Sequence, residues 1–331
     1  MPNSSRPLKN ATLRQLVTFH TLSRVGSISR TAEELHLTQP AVSLQLGILE
    51  ESAGTPLLAR GGRRLRLTEA GEVLAQYAER ILRLWREAGE AMAAQSGQVA
   101  GTLRVGAVTT AEYLLPQLLL AFTRQHAQVE VKLAVGNRAE IAAQLAQQDV
   151  DIVIMGRPLD ELRVAAAPFA RHPMAFVAAP DHPLMHQPNL TLADFAGVNM
   201  LVRERGSGTR TTAEQLFKSA GIPMTLGTET SSNEAIKQLC AAGHGVAFIS
   251  LHACVLELQT GVLVQVPLPG HPIERDWYVI AMKDRPLPAA AAAFAAFLKD
   301  SGQTLLDAKL AADRARHGPA PKRRTAARKP R

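Results

Sequence analysis

Cysteine is almost absent from this chain. Only Cys240 and Cys254 occur in 331 residues, too few for a disulfide framework and without CxxC or zinc-finger spacing. Both are expected to be reduced thiols in a core, although Cys240 could alternatively serve as a redox sensor. Aromatic residues make up 4% of the chain, so a site that stacks a neutral aromatic ligand has little to draw on. No apolar run approaches the roughly 18 residues of a membrane span, and the opening MPNSSRPLKN has no apolar signal core. A cytoplasmic protein without membrane contacts is expected. Complete catalytic fingerprints are missing too. Gly206-Ser207-Gly208 and Gly243-His244-Gly245 are fragments of nucleotide-binding motifs, and neither a Walker lysine motif nor G-x-S-x-G is present.

What is present fits a soluble globular protein with large cores: 46% apolar and 20% charged residues. The length expects two or more domains. The net charge of +8 is uneven, because residues 1–67 carry 9 Lys/Arg against 4 Asp/Glu, residues 68–95 carry 3 against 5, residues 96–300 carry 16 against 18, and residues 301–331 carry 9 against 2. Two basic ends flank a near-neutral centre, so an affinity for polyanions belongs to the ends.

From Thr12, the residues Leu13, Leu16, Phe19, Leu22 and Val25 recur at helical spacing. Gly26 can end this first helix, and Ser27 can cap a short second one through Arg30, Thr31, Ala32 and Leu35. After His36 and Leu37, Thr38 can cap a third helix with Pro40 in its first turn. Val42, Leu46 and Leu49 share one face of that helix. Thr38, Gln39, Pro40, Ser43 and Gln45 remain for base edges in a major groove. This is a helix-turn-helix pattern. The segment RGGRRLRL follows, with glycines for a turn between two short arms, and Arg60, Arg63 and Arg64 are candidates for phosphate contacts from a wing. By itself the segment could be a solvated basic hairpin; beside the helix-turn-helix, the wing is the better reading.

Thr68 opens a long Gly- and Pro-poor run in which Ala70, Tyr77, Leu84 and Ala91 occupy one heptad position and Leu74, Ile81 and Ala88 another. That pattern predicts a seam pairing two copies of the chain, or else one amphipathic helix packed on its own domain. A dimer would match a palindromic DNA site.

At this point the residues SISRTAEELHLTQPAVSLQLGILEE and GTPLLARGGRRLRLTEAG resemble the DNA-binding segment of LysR-type transcriptional regulators. Within that family, VTTAEYLLPQLL, VGNRAEI, DIVIMGRP, RERGSGTR and TSSNEAIKQ are most similar to the branch that controls Calvin-cycle carbon-fixation operons. The resemblance extends to about residue 300. One departure is Gly47-Ile48, where family members often carry a basic residue late in the recognition helix.

After the Gly97 to Gly101 break, LRVGAV, VEVKLAV and DIVIMG alternate with helical stretches at 111–125 and 139–148, a βαβαβ order that predicts a parallel sheet. Further extended segments are expected at VAAAPFA, MAFVAAP, VNMLVRE, TLGTET, GVAFIS and WYVIAM, with helices starting near Ser207, Ser231 and Pro288. The resemblance implies a two-lobed, periplasmic-binding-protein type II architecture, with the chain crossing between lobes near residues 170 and 273. The fold class expected is therefore α/β with an N-terminal all-α winged helix-turn-helix and a long linker helix. The expected domains are 11–68 (DNA binding), 69–97 (linker and dimerisation), 98–302 (effector binding; lobe I about 98–170 and 273–302, lobe II about 171–272) and a basic, disordered tail at 303–331. The tail could add nonspecific DNA affinity or be simply solvated.

Polar residues gather where strands end and helices begin, the chemically useful edge of an α/β sheet. Thr109, Thr110, Asn137, Arg138, Gly156, Arg157, Arg203, Ser207, Gly208, Thr209, Arg210, Ser231 and Asn233 are the candidate effector ligands. Each Ser or Thr alone could be a helix cap, but several arginines on one edge suit a small anion. A phosphorylated metabolite or nucleotide cofactor of carbon fixation is what the resemblance implies, along with a homodimer or homotetramer, double-stranded DNA and RNA polymerase as partners, and gene activation. No catalytic residue, resident cofactor or metal site is expected. His182 and His186 have i,i+4 spacing, but Pro183 argues against an aligning helix. The alternative is a cytosolic anion-binding or metabolic enzyme of the same two-lobed fold, with Glu112 or Glu234 as a general base.

Overall fold

The computed structural model describes residues 8–59, 65–94 and 99–317. The chain divides into two compact units, Met1–Ser96 and Gly97–Arg331.

In the first unit, α1 (Leu13–Val25) begins at a capping box in which Thr12 Oγ1 accepts from Gln15 N and Gln15 Oε1 accepts from Thr12 N, and it stops at left-handed Gly26. Ser27 caps α2 (Ile28–Glu34), and Thr38 caps α3 (Gln39–Ala53). Leu16, Phe19, Leu22, Val42, Leu46, Leu49 and Leu57 bury one shared core. Leu58 and Leu67 pair antiparallel as the base of a short connection, within which residues 60–64 lie outside the described residues. The long α4 (Glu69–Ala94) passes so close to this base that a Cβ on Gly71 would lie 2.2 Å from the Leu57 carbonyl oxygen. Only glycine fits there.

The heptad expectation needs correction at Leu74. Leu74 is only 7% exposed and joins Ala78 and Leu82 in the core of the same unit. The apolar residues of α4 left outside are Val73, Tyr77, Ile81, Leu84, Trp85 and Met92. Both stripes satisfy helical periodicity, but the one spaced four residues apart at 74, 78 and 82 faces the helix-turn-helix.

The second unit holds β1 (Gly101–Val108), a 3₁₀ turn at Thr109–Tyr113, α5 (Leu115–Gln125), β2 (Val129–Gly136), α6 (Arg138–Gln147), β3 (Ile152–Met155) and β4 (Val164–Ala178). Then come β5 (Met200–Arg203), α7 (Gly208–Ala220), β6 (Leu226–Thr230), α8 (Asn233–Ala241), β7 (Val246–Ser250), α9 (Val255–Thr260), β8 (Val264–Gln265), β9 (Ile273–Met282) and α10 (Ala289–His317). The sheet order is β2-β1-β3-β9-β4-β7-β5-β6, with β8 on β4. β1 pairs parallel with β2 and β3, and β5 pairs parallel with β6 and β7. These two parallel groups form two lobes. They are joined by β4 and β9, which pair antiparallel from Val164↔Met282 to Met174↔Ile273.

VAAAPFA and MAFVAAP are thus one strand, not two. Pro168 interrupts the sequence pattern, and the structure absorbs it as a register shift between Pro168 and Ala170. The disorder expected from residue 303 is not what the structure has. α10 runs to His317, and Leu306 is buried in the first lobe's core with Phe122, Phe294 and Leu298, so residues 303–317 are part of the folded unit. Residues 318–331 lie outside the described ones.

Candidate nucleic-acid interface and ligand cleft

On α3, Thr38 Oγ1 accepts from Ala41 N at 3.3 Å, so this side chain caps the helix. Gln39, Pro40 and Ser43 are exposed on one face, as are Gly47 and Ile48 further along. Gln45 is not available in the same way: it is half-buried, and its Oε1 accepts from the hydroxyl of buried Thr18 on α1. Sequence reasoning missed Leu44, which is 65% exposed. The signal was there, since Leu44 falls off the Val42, Leu46 and Leu49 stripe, and an exposed leucine on such a face suits a thymine methyl. Arg60, Arg63 and Arg64 lie outside the described residues.

In the second unit, three candidates converge from both lobes. Arg203, at the end of β5 and 3% exposed, donates from Nη2 to Thr109 Oγ1 at 3.0 Å and from Nη1 to Asn233 Oδ1. Its Nε pairs with Glu204 at 2.8 Å, which neutralises it. Asn233 Nδ2 is buried with no partner. Thr110 and Ser207 are buried nearby in sequence. Gly208 and Thr209 begin α7, while Ser231 is exposed and its neighbour Ser232 caps α8 through Ala235 N.

Other candidates are committed elsewhere. Arg210 is 5% exposed and pairs with Glu214 at 2.7 Å and Glu229 at 2.6 Å, while Nη1 also donates to the Arg203 carbonyl. Hydrogen bonds from Arg210 in turn hold the Glu229 carboxyl below its ordinary range, against a smaller opposing effect of burial. Asn137 forms a capping box with Glu140. Arg138 donates to the carbonyls of Arg157 at 2.9 Å and Pro158 at 2.7 Å, fixing the loop after β3, and Arg157 pairs with Asp160 at 2.8 Å.

A second cross-lobe link was not foreseen. Arg275 on β9 donates from Nη2 to the Gly156 carbonyl of the first lobe at 3.1 Å and from Nη1 to Thr212 Oγ1 on α7 of the second. Gly156 itself is pressed on His172, where a Cβ would come within 2.6 Å of Nδ1. In the sequence, Arg275 sits between Glu274 and Asp276 and reads as a solvated strand position.

The chemistry needed for catalysis is not assembled around the carboxylates considered. Glu234 pairs with Lys237 at 2.7 Å and accepts from the Tyr113 hydroxyl at 2.7 Å; burial favours its neutral form, yet these bonds together hold its carboxyl below the ordinary range. Glu112 is shifted the other way, by burial first and by Glu234 second. The Cys240 thiol lies against the Val177 and Gly245 carbonyl oxygens at 3.1 and 3.3 Å and is pushed up to about 12 by burial, the state of an inert core thiol. His182 Nδ1 accepts from Leu184 N, and no group of three metal-binding side chains occurs among the described residues.

Residues 13–72 match the bacterial regulatory helix-turn-helix proteins of the lysR family, and residues 96–303 match the LysR substrate binding domain. The chain belongs to the LysR family. Its relatives include the HTH-type transcriptional regulator CbbR of Rhodospirillum rubrum, 43% identical over 88% of this chain and 97% of that one. CfxR of Cupriavidus necator is 40% identical over 88% of this chain and 92% of its own. Among solved structures, the Synechocystis CcmR regulatory domain in complex with 2-PG is 32% identical, covering 60% of this chain and 96% of that one with a TM-score of 0.58. Full-length CbnR complexed with its target DNA shares the fold at 23% identity and a TM-score of 0.64, covering 88% of this chain and 99% of that one. As a LysR-family member, the chain combines a helix-turn-helix unit with a two-lobed α/β unit. The family relatives named here are transcriptional regulators, and the enzyme reading is not favoured.

Proposed function

We propose that this LysR-family chain is an effector-responsive regulator of carbon-fixation genes that binds double-stranded DNA as a homo-oligomer in the cytoplasm. The relatives' names support the target genes, since they include CbbR, CfxR and a RuBisCO operon transcriptional regulator of Allochromatium vinosum. Gln39, Pro40, Ser43 and Leu44 face the bases, and Arg60, Arg63 and Arg64 of the wing grip phosphates. The exposed face of α4, Tyr77 with Ile81 and Leu84, supports association of two copies. RNA polymerase is the downstream partner, and the action is activation. No resident cofactor is required.

The observation that carries the effector reading is the convergence of Thr109, Arg203 and Asn233 from two lobes around a buried amide Nδ2 without an acceptor. A buried donor left unsatisfied costs about 1 to 3 kcal/mol, which a ligand oxygen would recover. The ligand is a small anionic metabolite, a phosphorylated compound or nucleotide cofactor, in keeping with the 2-PG held by the CcmR regulatory domain. A ligand that favours one arrangement of the lobes shifts the population of regulator states and so the geometry of bound DNA. Footprinting of the full chain on DNA upstream of carbon-fixation genes tests this. Protection that changes in extent when phosphorylated metabolites are added is expected. Absence of any protected site, with or without them, would overturn it.

A further inference from the structure

We infer that the exposed apolar ridge of α3, Leu44 with Ile48, reads the C5 methyl groups of thymines in the major groove, so that site choice by this helix rests on methyl contacts and not on a cation. This rests on the DNA-binding reading above and deepens it, because it names the chemical group on the bases that the helix recognises.

Helix α3 carries no lysine or arginine anywhere between Gln39 and Ala53. Its acids stand at the far end. Glu50 accepts from the Leu57 and Leu58 amides at 2.7 and 3.0 Å, and Glu51 is exposed, where its charge would repel a phosphate. Of the polar side chains nearer the start, Thr38 and Gln45 are engaged within the unit, which leaves Gln39 and Ser43 exposed. Beside them runs an apolar row. Pro40, Leu44 and Ile48 follow at steps of four, which places them one above another on a helix. Leu44 is 65% exposed and Ile48 40%, while Val42, Leu46 and Leu49 on the other side fill the core. The exposed row is therefore not what folds the unit, and what it meets lies outside.

Gly47 sits on the same exposed face. A glycine in mid-helix is unfavourable for the helix itself, yet a Cβ at Gly47 would meet nothing within 4 Å, so no neighbour inside the unit requires it. A bare backbone there lets the edge of a groove come closer to Leu44 and Ile48. On unmodified bases the thymine C5 methyl is the one apolar group that the major groove presents. Leu44 and Ile48 offer no donor or acceptor, so pressing them on any other base edge would strand that edge's polar groups. Gln39 supplies the polar readout, with adenine as the base its amide matches. The helix thus suits a half-site rich in A·T pairs, and the grip on phosphates comes from other segments.

Binding titrations of the full chain on the site that footprinting protects, with thymines of one half-site replaced singly by uracil, test the assignment, because uracil differs from thymine only in lacking that methyl. At the contacted positions the replacement should weaken wild-type binding about four-fold, the effect of one buried carbon. Leu44→Ala should bind the thymine and uracil versions of its own position equally and keep the uracil penalty at the position read by Ile48. Ile48→Ala should show the reverse. Neither change should alter the dependence of affinity on salt, since no phosphate contact is lost. Both side chains are exposed, so the variants should keep the fold, which circular dichroism checks. Equal wild-type affinity for every thymine and uracil version would overturn the methyl reading while leaving DNA binding standing, as would a uracil penalty that persists in both alanine variants. Weakened self-association of the variants with an unchanged uracil profile would make the ridge a protein contact and overturn it too. Failure of the wild type to bind any unmodified site would count against the DNA-binding reading itself.

Discussion

Arg203 Nη2 meets Thr109 Oγ1 at 3.0 Å, a single bond joining the end of β5 in one lobe to the end of β1 in the other. Thr109→Val removes the acceptor with little change in shape, so about 1 kcal/mol of stability should be lost. Arg203→Met should cost more, about 2 to 4 kcal/mol, since it also strands buried Asn233 and half-buried Glu204. A double-mutant cycle by urea unfolding should return a coupling of about 1 kcal/mol. A coupling near zero would mean that the bond does not hold the lobes together.

Gln39 and Gln45 are the same residue type on the same helix, but one is exposed and the other is half-buried against Thr18. Gln39→Ala should relax base preference, with a cost on the order of 1 to 3 kcal/mol at the matched base pair and little change in stability. Gln45→Ala removes one of the two acceptors of buried Thr18, leaving the Arg14 carbonyl, so about 0.5 to 1 kcal/mol of stability should be lost with base preference retained. Binding selections on randomised sites, paired with thermal melts of each variant, check the division. The idea fails if Gln45→Ala relaxes specificity more than Gln39→Ala does.

Leu74 and Ile81 share a heptad position of α4, yet one is buried in its own unit and the other is exposed. Leu74→Asp should therefore unfold the helix-turn-helix unit, because it places a charge in a dry core. Ile81→Asp or Tyr77→Asp should leave the fold intact and weaken self-association by ten-fold or more. Sedimentation of the full-length variants, with circular dichroism to confirm folding, tells these apart. If folded Ile81→Asp associates as tightly as the wild type, the interface lies elsewhere.

Local chemistry was legible in the sequence. Thr12, Ser27 and Thr38 cap the helices expected of them, and Gly26 stops the first, because capping depends on residues three or four positions apart. Long-range choices were not. Arg210 and Arg275 are both sheet-edge arginines, and what distinguishes them is that Glu229 on β6 reaches Arg210 while, among the described residues, no carboxylate forms an ion pair with Arg275. That depends on strand order, which neither arginine's sequence context carries. Leu74 shows the same limit. A helix with two apolar stripes does not reveal which one faces its own core.

His252 Nδ1 accepts from Trp277 Nε1 at 3.1 Å, so the neutral ring carries its proton on Nε2, and burial lowers its pKa to about 4. His172, stacked on Trp277 at 3.8 Å with both ring nitrogens buried and unpartnered, is lowered well below its ordinary value by burial first, then by His252 and Arg275. The folded chain favours the neutral rings, so unfolding takes up protons between pH 4 and the unfolded value of about 6.5. The stabilisation is complete above pH 6.5, falls as pH drops through this window, and levels off near pH 4 for His252. Between pH 7 and 4.5 the His252 share should be on the order of 2 to 3 kcal/mol. His252→Gln, which offers the indole an amide oxygen, should make the decline in urea stability over that range shallower by about this amount. Using the slope separates titration from any loss of packing, which lowers stability at every pH alike. An unchanged slope in His252→Gln would show that the ring is not held neutral by the fold.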